Sequence, residues 1–233
     1  MLNAIICIFS KNYQTFNYIA SFFFFFMLTI LNSYYSNGIT IIPHGGLMEN
    51  PDLIQRMQEK AEAVQAIVSK IVHITDAFQY AVDLTRAQGG QTVVATGLDA
   101  NDQDLLKKQC ETADLTLLDF PLRPHANKIH TALTPVDWGI AETGTLVLDS
   151  TSEDIRIATM LAETHVAVLS ASKIKPDSVS LEKELNAVLK TGTPVYYAFI
   201  TGASRTADIE RVLAVGVHGP KELHILIMEE NNA

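Results

Sequence analysis

Glu222-Leu223-His224-Ile225-Leu226-Ile227-Met228, read beside His165-Val166-Ala167-Val168-Leu169, decides the fold class. Both runs are apolar with almost no alternation. A strand with one wet face alternates, whereas a strand covered on both faces reads as a near-continuous apolar run. The two runs therefore predict a mostly parallel sheet flanked by helices, an α/β fold. The elements between them agree, since helical and strand patterns take turns along the chain. Asn50 caps and Pro51 opens a helix. Leu53, Ile54, Met57, Ala61, Val64, Ile67, Val68 and Ile71 continue it at three- and four-residue steps as one amphipathic, core-packing element. A second helix is expected over Thr75 to Gln88, stopped by Gly89-Gly90. A buried strand over Thr92 to Thr96 and a helix over Asp99 to Cys110 follow, then a strand over Leu115 to Leu118 that ends at Pro121. A polar loop leads to Gly139–Leu148, two apolar stretches broken by Glu142-Thr143-Gly144-Thr145. Next come a helix from Ser152 to Glu163, the strand His165–Leu169 and a helix from Ser180 to Leu189. The strand Val195–Thr201 runs into Gly202-Ala203-Ser204-Arg205-Thr206 and a helical turn from Ala207.

Composition narrows the function classes. The 233 residues carry 17 Lys+Arg against 26 Asp+Glu, a net charge of −9. Surplus acid repels phosphate backbones and no basic cluster interrupts it, which argues against nucleic acid as a partner. The two cysteines, Cys7 and Cys110, stand far apart with no ligand-spaced neighbours. This excludes a disulfide framework, a structural zinc site and an iron–sulfur cluster held by this chain alone. No metal and no cofactor are expected on the chain, and its setting is expected to be the reducing cytoplasm.

Composition also breaks near residue 48. Residues 1–47 hold one charged side chain, Lys11, and eleven of the 17 Phe and Tyr. Tyr18 to Leu31 is almost wholly apolar, yet a membrane span needs about 20 such residues and the flanks lack an orienting Lys/Arg bias. Such residues are also what AT-rich non-coding DNA yields on translation, and Gly45-Gly46 just before Met48 can be encoded by a ribosome-binding sequence. The expectation is a domain over 48–233, with residues 1–47 an upstream extension or, as the alternative, a membrane anchor.

Three segments carry chemistry-bearing residues beyond what a core requires. Asp137-Trp138-Gly139-Ile140-Ala141-Glu142-Thr143-Gly144-Thr145-Leu146 places a carboxylate, two hydroxyls and a glycine at a chain break. Successive N–H groups and threonine hydroxyls there can cradle an anion; a hairpin turn with a solvated Glu142 fits the pattern equally. Gly202-Ala203-Ser204-Arg205-Thr206-Ala207-Asp208 follows a buried strand. Parallel sheets bind ligands at the carboxyl ends of strands, beside helix N-termini. Arg205 there is suited to a small carboxylate or a phosphate, while Ser204 or Thr206 as a mere helix cap is the competing reading. Gly216-Val217-His218-Gly219-Pro220 sets a histidine in a tight loop, as an acid or base or as a turn residue bonded to backbone. Glu142 and His218 are the catalytic candidates. Thr143, Gly144, Thr145, Ser204, Arg205, Thr206, Asp208 and Gly219 are the binding candidates. His73, His130, His165 and His224 have nothing convergent around them in sequence and are read as structural.

These segments, in this order, resemble the LUD domain family of lactate utilization proteins. The match is carried by Ala141-Glu142-Thr143-Gly144-Thr145, by Ser204-Arg205-Thr206-Ala207-Asp208-Ile209-Glu210 and by Gly216-Val217-His218-Gly219-Pro220-Lys221-Glu222-Leu223-His224. It covers roughly Val64 to Met228. The family's longer branch adds a cysteine-rich, ferredoxin-like segment that this chain lacks, so the chain is similar to the shorter branch. The resemblance implies a NagB/RpiA/CoA-transferase-like fold. It also implies a non-redox role in oxidising L-lactate to pyruvate beside two iron–sulfur partner proteins, which would carry the clusters. The alternative is an autonomous enzyme of that fold class, acting on a CoA ester or sugar phosphate with Glu142 as nucleophile or base.

Overall fold

A computed structural model describes residues 6–9, 50–190, 195–209, 212–215 and 219–229. Of residues 6–9, 50–51, 189, 205–209 and 212–215 only the backbone is described. Thirteen strands and five α-helices are described: β1 (Ile6–Phe9), α1 (Asn50–Ala63), β2 (Ile67–Ile71), α2 (Ile74–Ala87), β3 (Thr92–Ala95), α3 (Ala100–Thr112), β4 (Thr116–Leu117), β5 (Thr131–Pro135), β6 (Trp138–Ile140), β7 (Thr145–Asp149), α4 (Glu153–Leu161), β8 (Thr164–Ser170), β9 (Ile174–Lys175), α5 (Glu182–Leu189), β10 (Tyr196–Ile200), β11 (Arg205–Ile209), β12 (Val212–Val215) and β13 (Glu222–Met228).

The decisive run is β13, and it lies inside a six-stranded sheet of order β2-β13-β8-β5-β3-β4. Every adjacent pair in that sheet is parallel. Leu223, Ile225 and Ile227 enter one core cluster and Leu226 enters another, so β13 is buried on both faces as its pattern demands. Each such side chain removed from water contributes roughly 1.5–3 kcal/mol before entropy is counted. On the Leu226 face, α2 and α3 supply Ala77, Phe78, Val82, Leu106 and Cys110. On the Ile225 face, Met57 and Ala61 of α1 pack with a second sheet, represented by Leu146, Leu148, Ala198 and Ile200. That sheet has the order β1-β10-β7-β6-β9. It is antiparallel except where β6 meets β9. Its other face is covered by Leu181 with Leu185 and Val188 of α5, against Ile140, Val147 and Tyr197. Near β3 and β5, Ala158 of α4 and the adjoining Ala162 close the remaining part of the first sheet over Val94 and Ala132.

Three expectations are corrected. The helix from Asn50 ends at Ala63, and Ile67–Ile71 is the edge strand β2. Gln65 takes a left-handed φ of 64° and breaks the helix. Ile67, Val68 and Ile71 satisfy a helical spacing and a β-branched strand pattern alike, which is why the two elements read as one. The polar loop after Pro121 contains β5, whose residues Thr131–Thr134 are all buried between β3 and β8. The segment after Gly202 forms an antiparallel hairpin of β11 and β12 instead of a helical turn. The apolar stretch Tyr18–Leu31 lies outside the described residues, and no helix among those described is long and apolar enough to cross a membrane.

Candidate functional site

The first chemistry-bearing segment is the turn of the β6–β7 hairpin. The N–H groups of Thr143 and Gly144 donate to the Ile140 carbonyl at 3.4 and 2.9 Å. The N–H groups of Ala141 and Glu142 donate to the carbonyls of Lys175 and Pro176 at 2.8 and 3.1 Å. Gly144 has φ +66°, and a Cβ there would lie 2.3 Å from the backbone nitrogen of Ala61. The carboxyl end of α1 is thus pressed against this turn, and only glycine fits between them. Glu142 and Thr143 are exposed while Thr145 is buried.

From Thr145 a chain of hydroxyls leaves the hairpin. The Thr143 and Thr145 Oγ1 atoms are 2.7 Å apart, and Thr145 Oγ1 lies 2.7 Å from Thr201 Oγ1. Thr201 follows β10, and beyond it the Ser204 N–H donates to the Pro220 carbonyl at 2.9 Å. Pro220, beside Gly219, leads into β13. The three segments therefore meet. Thr143, Gly144 and Thr145 are joined through Thr201 to Ser204, and Ser204 to the Gly219-Pro220 corner. Arg205, Thr206 and Asp208 begin β11 directly after Ser204, with Arg205 paired to Val215 and Thr206 to Ala214. Ser204 and Thr206 cap no helix. His218 lies outside the described residues.

The meeting point departs from expectation in its position. Pro220 precedes β13, and Ala61 ends the helix that turns back into β2, so the cluster lies at the amino edge of the parallel sheet. At the carboxyl edge, the crevice between β3 and β5 is filled: a Cβ on Gly97 would lie 2.7 Å from the Pro135 ring. What the amino-edge cluster offers chemically is hydroxyl oxygens on rigid backbone. A string of three such groups can pass one donor outward to an anion at the exposed Thr143 end.

A second polar network beside this edge had no counterpart in the sequence reading. His224 is 3% exposed, with Nδ1 2.8 Å from the Tyr80 hydroxyl and Nε2 3.0 Å from Glu222. The Gln88 amide donates to the same Glu222 oxygen at 2.7 Å, and Thr164 donates to Gln88 at 2.8 Å. A carboxylate accepts, so Nε2 carries the hydrogen and the Tyr80 hydroxyl donates to Nδ1. The signal was present: Glu222 and His224, two apart on a strand, share one face. Replacing Tyr80 by Phe is expected to cost about 1–2 kcal/mol, because a buried acceptor loses its donor; urea titration checks it. Burial pushes the Cys110 thiol up to about 11, aided by the Glu111 charge, so this cysteine stays protonated and is no nucleophile. Among the described residues no group of three or more His, Cys, Asp or Glu side chains is placed to hold a metal.

A parallel sheet flanked by helices and backed by a second sheet defines an α/β domain. The chain belongs to the LUD domain family, whose model matches residues 54–228. It is 28% identical over 189 residues to an uncharacterized protein of Neisseria meningitidis, covering 74% of this chain and 77% of that one. It is 32% identical over 107 residues to lactate utilization protein C of Macrococcus caseolyticus, covering 45% of this chain and 46% of that protein, less than half its length. In three dimensions it resembles a DUF162 family protein from Deinococcus radiodurans, with a TM-score of 0.52 and 17% identity. That match covers 78% of this chain and 99% of the other.

Proposed function

We propose that this chain serves L-lactate utilization as a non-redox subunit, holding the substrate carboxylate while iron–sulfur partner proteins receive the electrons as lactate becomes pyruvate. The observation that carries this reading is the hydroxyl chain Thr143–Thr145–Thr201, open at the exposed Thr143, with the Ser204 backbone tied to Pro220 beyond it. Hydroxyl donors suit a small carboxylate. The name of the Macrococcus relative supplies the process. The division of labour follows from composition, because two distant cysteines cannot ligate a cluster.

The test is a pull-down of the full chain from its host grown on L-lactate. Two iron–sulfur proteins with lactate-oxidising activity are expected to co-purify; a homo-oligomer without either overturns the reading. Thr145→Val then separates site from assembly. It interrupts the hydroxyl chain at its buried centre and is expected to lower lactate oxidation by roughly tenfold, about 1.4 kcal/mol, with the partners still bound. Unchanged activity in that variant removes the hydroxyl chain from the mechanism.

A further inference from the structure

We infer that the hydroxyl chain of Thr143, Thr145 and Thr201 reverses direction with its ligand. It accepts from the C2 hydroxyl of a 2-hydroxy acid and donates to the C2 carbonyl of the corresponding 2-oxo acid. This rests on the proposed binding of a small carboxylate at the exposed Thr143 end, and it adds which oxygen of that ligand the chain meets.

Nothing fixes the direction of this chain. A threonine hydroxyl holds one hydrogen and accepts through its lone pairs. Elsewhere in the fold that hydrogen is committed to a backbone carbonyl: Thr85 donates to Ala81 at 2.6 Å, Thr112 to Lys108 at 2.8 Å and Thr159 to Ile155 at 2.8 Å. The hydroxyls of Thr143, Thr145 and Thr201 bond only to one another among the described residues, at 2.7 Å in both links, and either oxygen of each link can be the donor. Thr145 is 6% exposed, so its hydrogen goes to one neighbour or the other and the hydroxyls turn together. Turned outward, Thr201 donates to Thr145, Thr145 to Thr143, and Thr143 to an acceptor on the ligand. Turned inward, Thr143 accepts from the ligand, and Thr201, which is only partly buried, turns its hydrogen to solvent. A carboxylate accepts in both redox states and calls for the outward arrangement alone. The C2 oxygen, on the adjacent carbon, donates as a hydroxyl and only accepts as a carbonyl. Two interchangeable arrangements therefore suit both members of a 2-hydroxy/2-oxo acid pair, where a fixed donor would suit one.

Thr201 sets the balance from the far end of the chain, as a positioning residue. In Thr201→Val the inward arrangement strands the Thr145 hydrogen in the core, so the chain is held outward. Calorimetric titration of the full chain with L-lactate, pyruvate and propionate tests this. Lactate and pyruvate are expected to bind within about threefold of each other, and propionate, which has no C2 oxygen, about tenfold more weakly. Thr201→Val is expected to weaken lactate by about tenfold and to leave pyruvate unchanged. Thr201→Ser, which keeps the hydroxyl, is expected to restore the balance of the parent chain. Unchanged thermal midpoints verify that both variants fold. Losses in Thr201→Val that are absent or equal for the two acids, or propionate binding as tightly as lactate, overturn the reversal and leave the chain a donor to the carboxylate alone. If neither acid binds the parent chain, the carboxylate reading itself fails and this inference with it.

Discussion

Gly144→Ala is expected to destabilise the protein by about 3 kcal/mol or more, lowering its thermal midpoint by roughly 10 °C. Two costs add. At φ +66° an L-residue sits in the left-handed region, which costs about 1–2 kcal/mol. The new methyl would also lie 2.3 Å from the Ala61 nitrogen and 2.5 Å from the Lys60 carbonyl carbon. These are backbone atoms of α1, so no rotamer change relieves the overlap. Either the helix end or the hairpin must move, and Met57 and Ala61, wholly buried in the main core, move with the helix. Gly89→Ala isolates the first cost: its φ is +73° but nothing lies within 4 Å of the added Cβ. It should lose only about 1–2 kcal/mol. Equal losses in the two variants, measured by calorimetry, would remove the contact with α1 from the account. Since Thr143 and Thr145 flank Gly144, the same substitution should also disrupt the hydroxyl chain.

The α/β class was legible because burial on both faces leaves an unbroken apolar run, as in β13 and β8. Where the reading failed, the deciding interaction was either ambiguous or remote. Ile67, Val68 and Ile71 fit two periodicities, and the break between helix and strand rests on Gln65, a residue type that announces no turn. β5 passed for a loop because Thr131 and Thr134 are polar. They are buried all the same, for Thr131 takes a 2.8 Å hydrogen bond from Thr85 and Thr134 lies 2.8 Å from the His165 ring. Those partners stand 46 and 31 residues away in the chain, and nothing local foretells them. The hairpin of β11 and β12 was likewise hidden, because Ser, Thr and Asp after a glycine suit a helix start as well as a strand.

The site was legible in its parts and not in its assembly. Each of its three segments stood out because glycine, hydroxyl and charge interrupt apolar runs. Their joining depends on Thr145 meeting Thr201, 56 residues away, and on Ser204 meeting a backbone carbonyl that any residue would provide. Its location followed from connectivity. Strands of the second sheet are inserted at two places, β6 and β7 between β5 and β8, β9 and β10 between β8 and β13, and from the latter insertion the chain returns to β13 at that strand's amino end. The carboxyl-edge rule describes sheets whose connections are helices. Here two of the connections carry strands of a second sheet.

His165 is expected to make the protein acid-labile. It is 1% exposed at the amino end of β8. Its Nε2 lies 2.8 Å from the Thr134 hydroxyl, while Nδ1 has no partner. Burial, with a smaller contribution from the His224 charge, pulls its pKa down to about 4 from an ordinary 6.5. The depressed value means that the unfolded chain takes up the proton first as pH falls. The stabilisation is complete above pH 6.5 and is lost on acidification at about 1.4 kcal/mol per pH unit, down to about pH 4. The full loss is on the order of 3 kcal/mol, a large part of the stability of a typical domain. His224 sits on the opposite face of the sheet, since its strand partner is Val166 whereas His165 aligns with Leu223. Urea titrations at steps between pH 7 and 4.5 measure the slope in the parent chain and in His165→Leu. The variant strands the Thr134 hydroxyl and starts less stable, but it carries no proton to take up. Its stability should fall less steeply below pH 6.5 by about 1.4 kcal/mol per unit. Parallel slopes in the two proteins would remove His165 from the account of the acid lability.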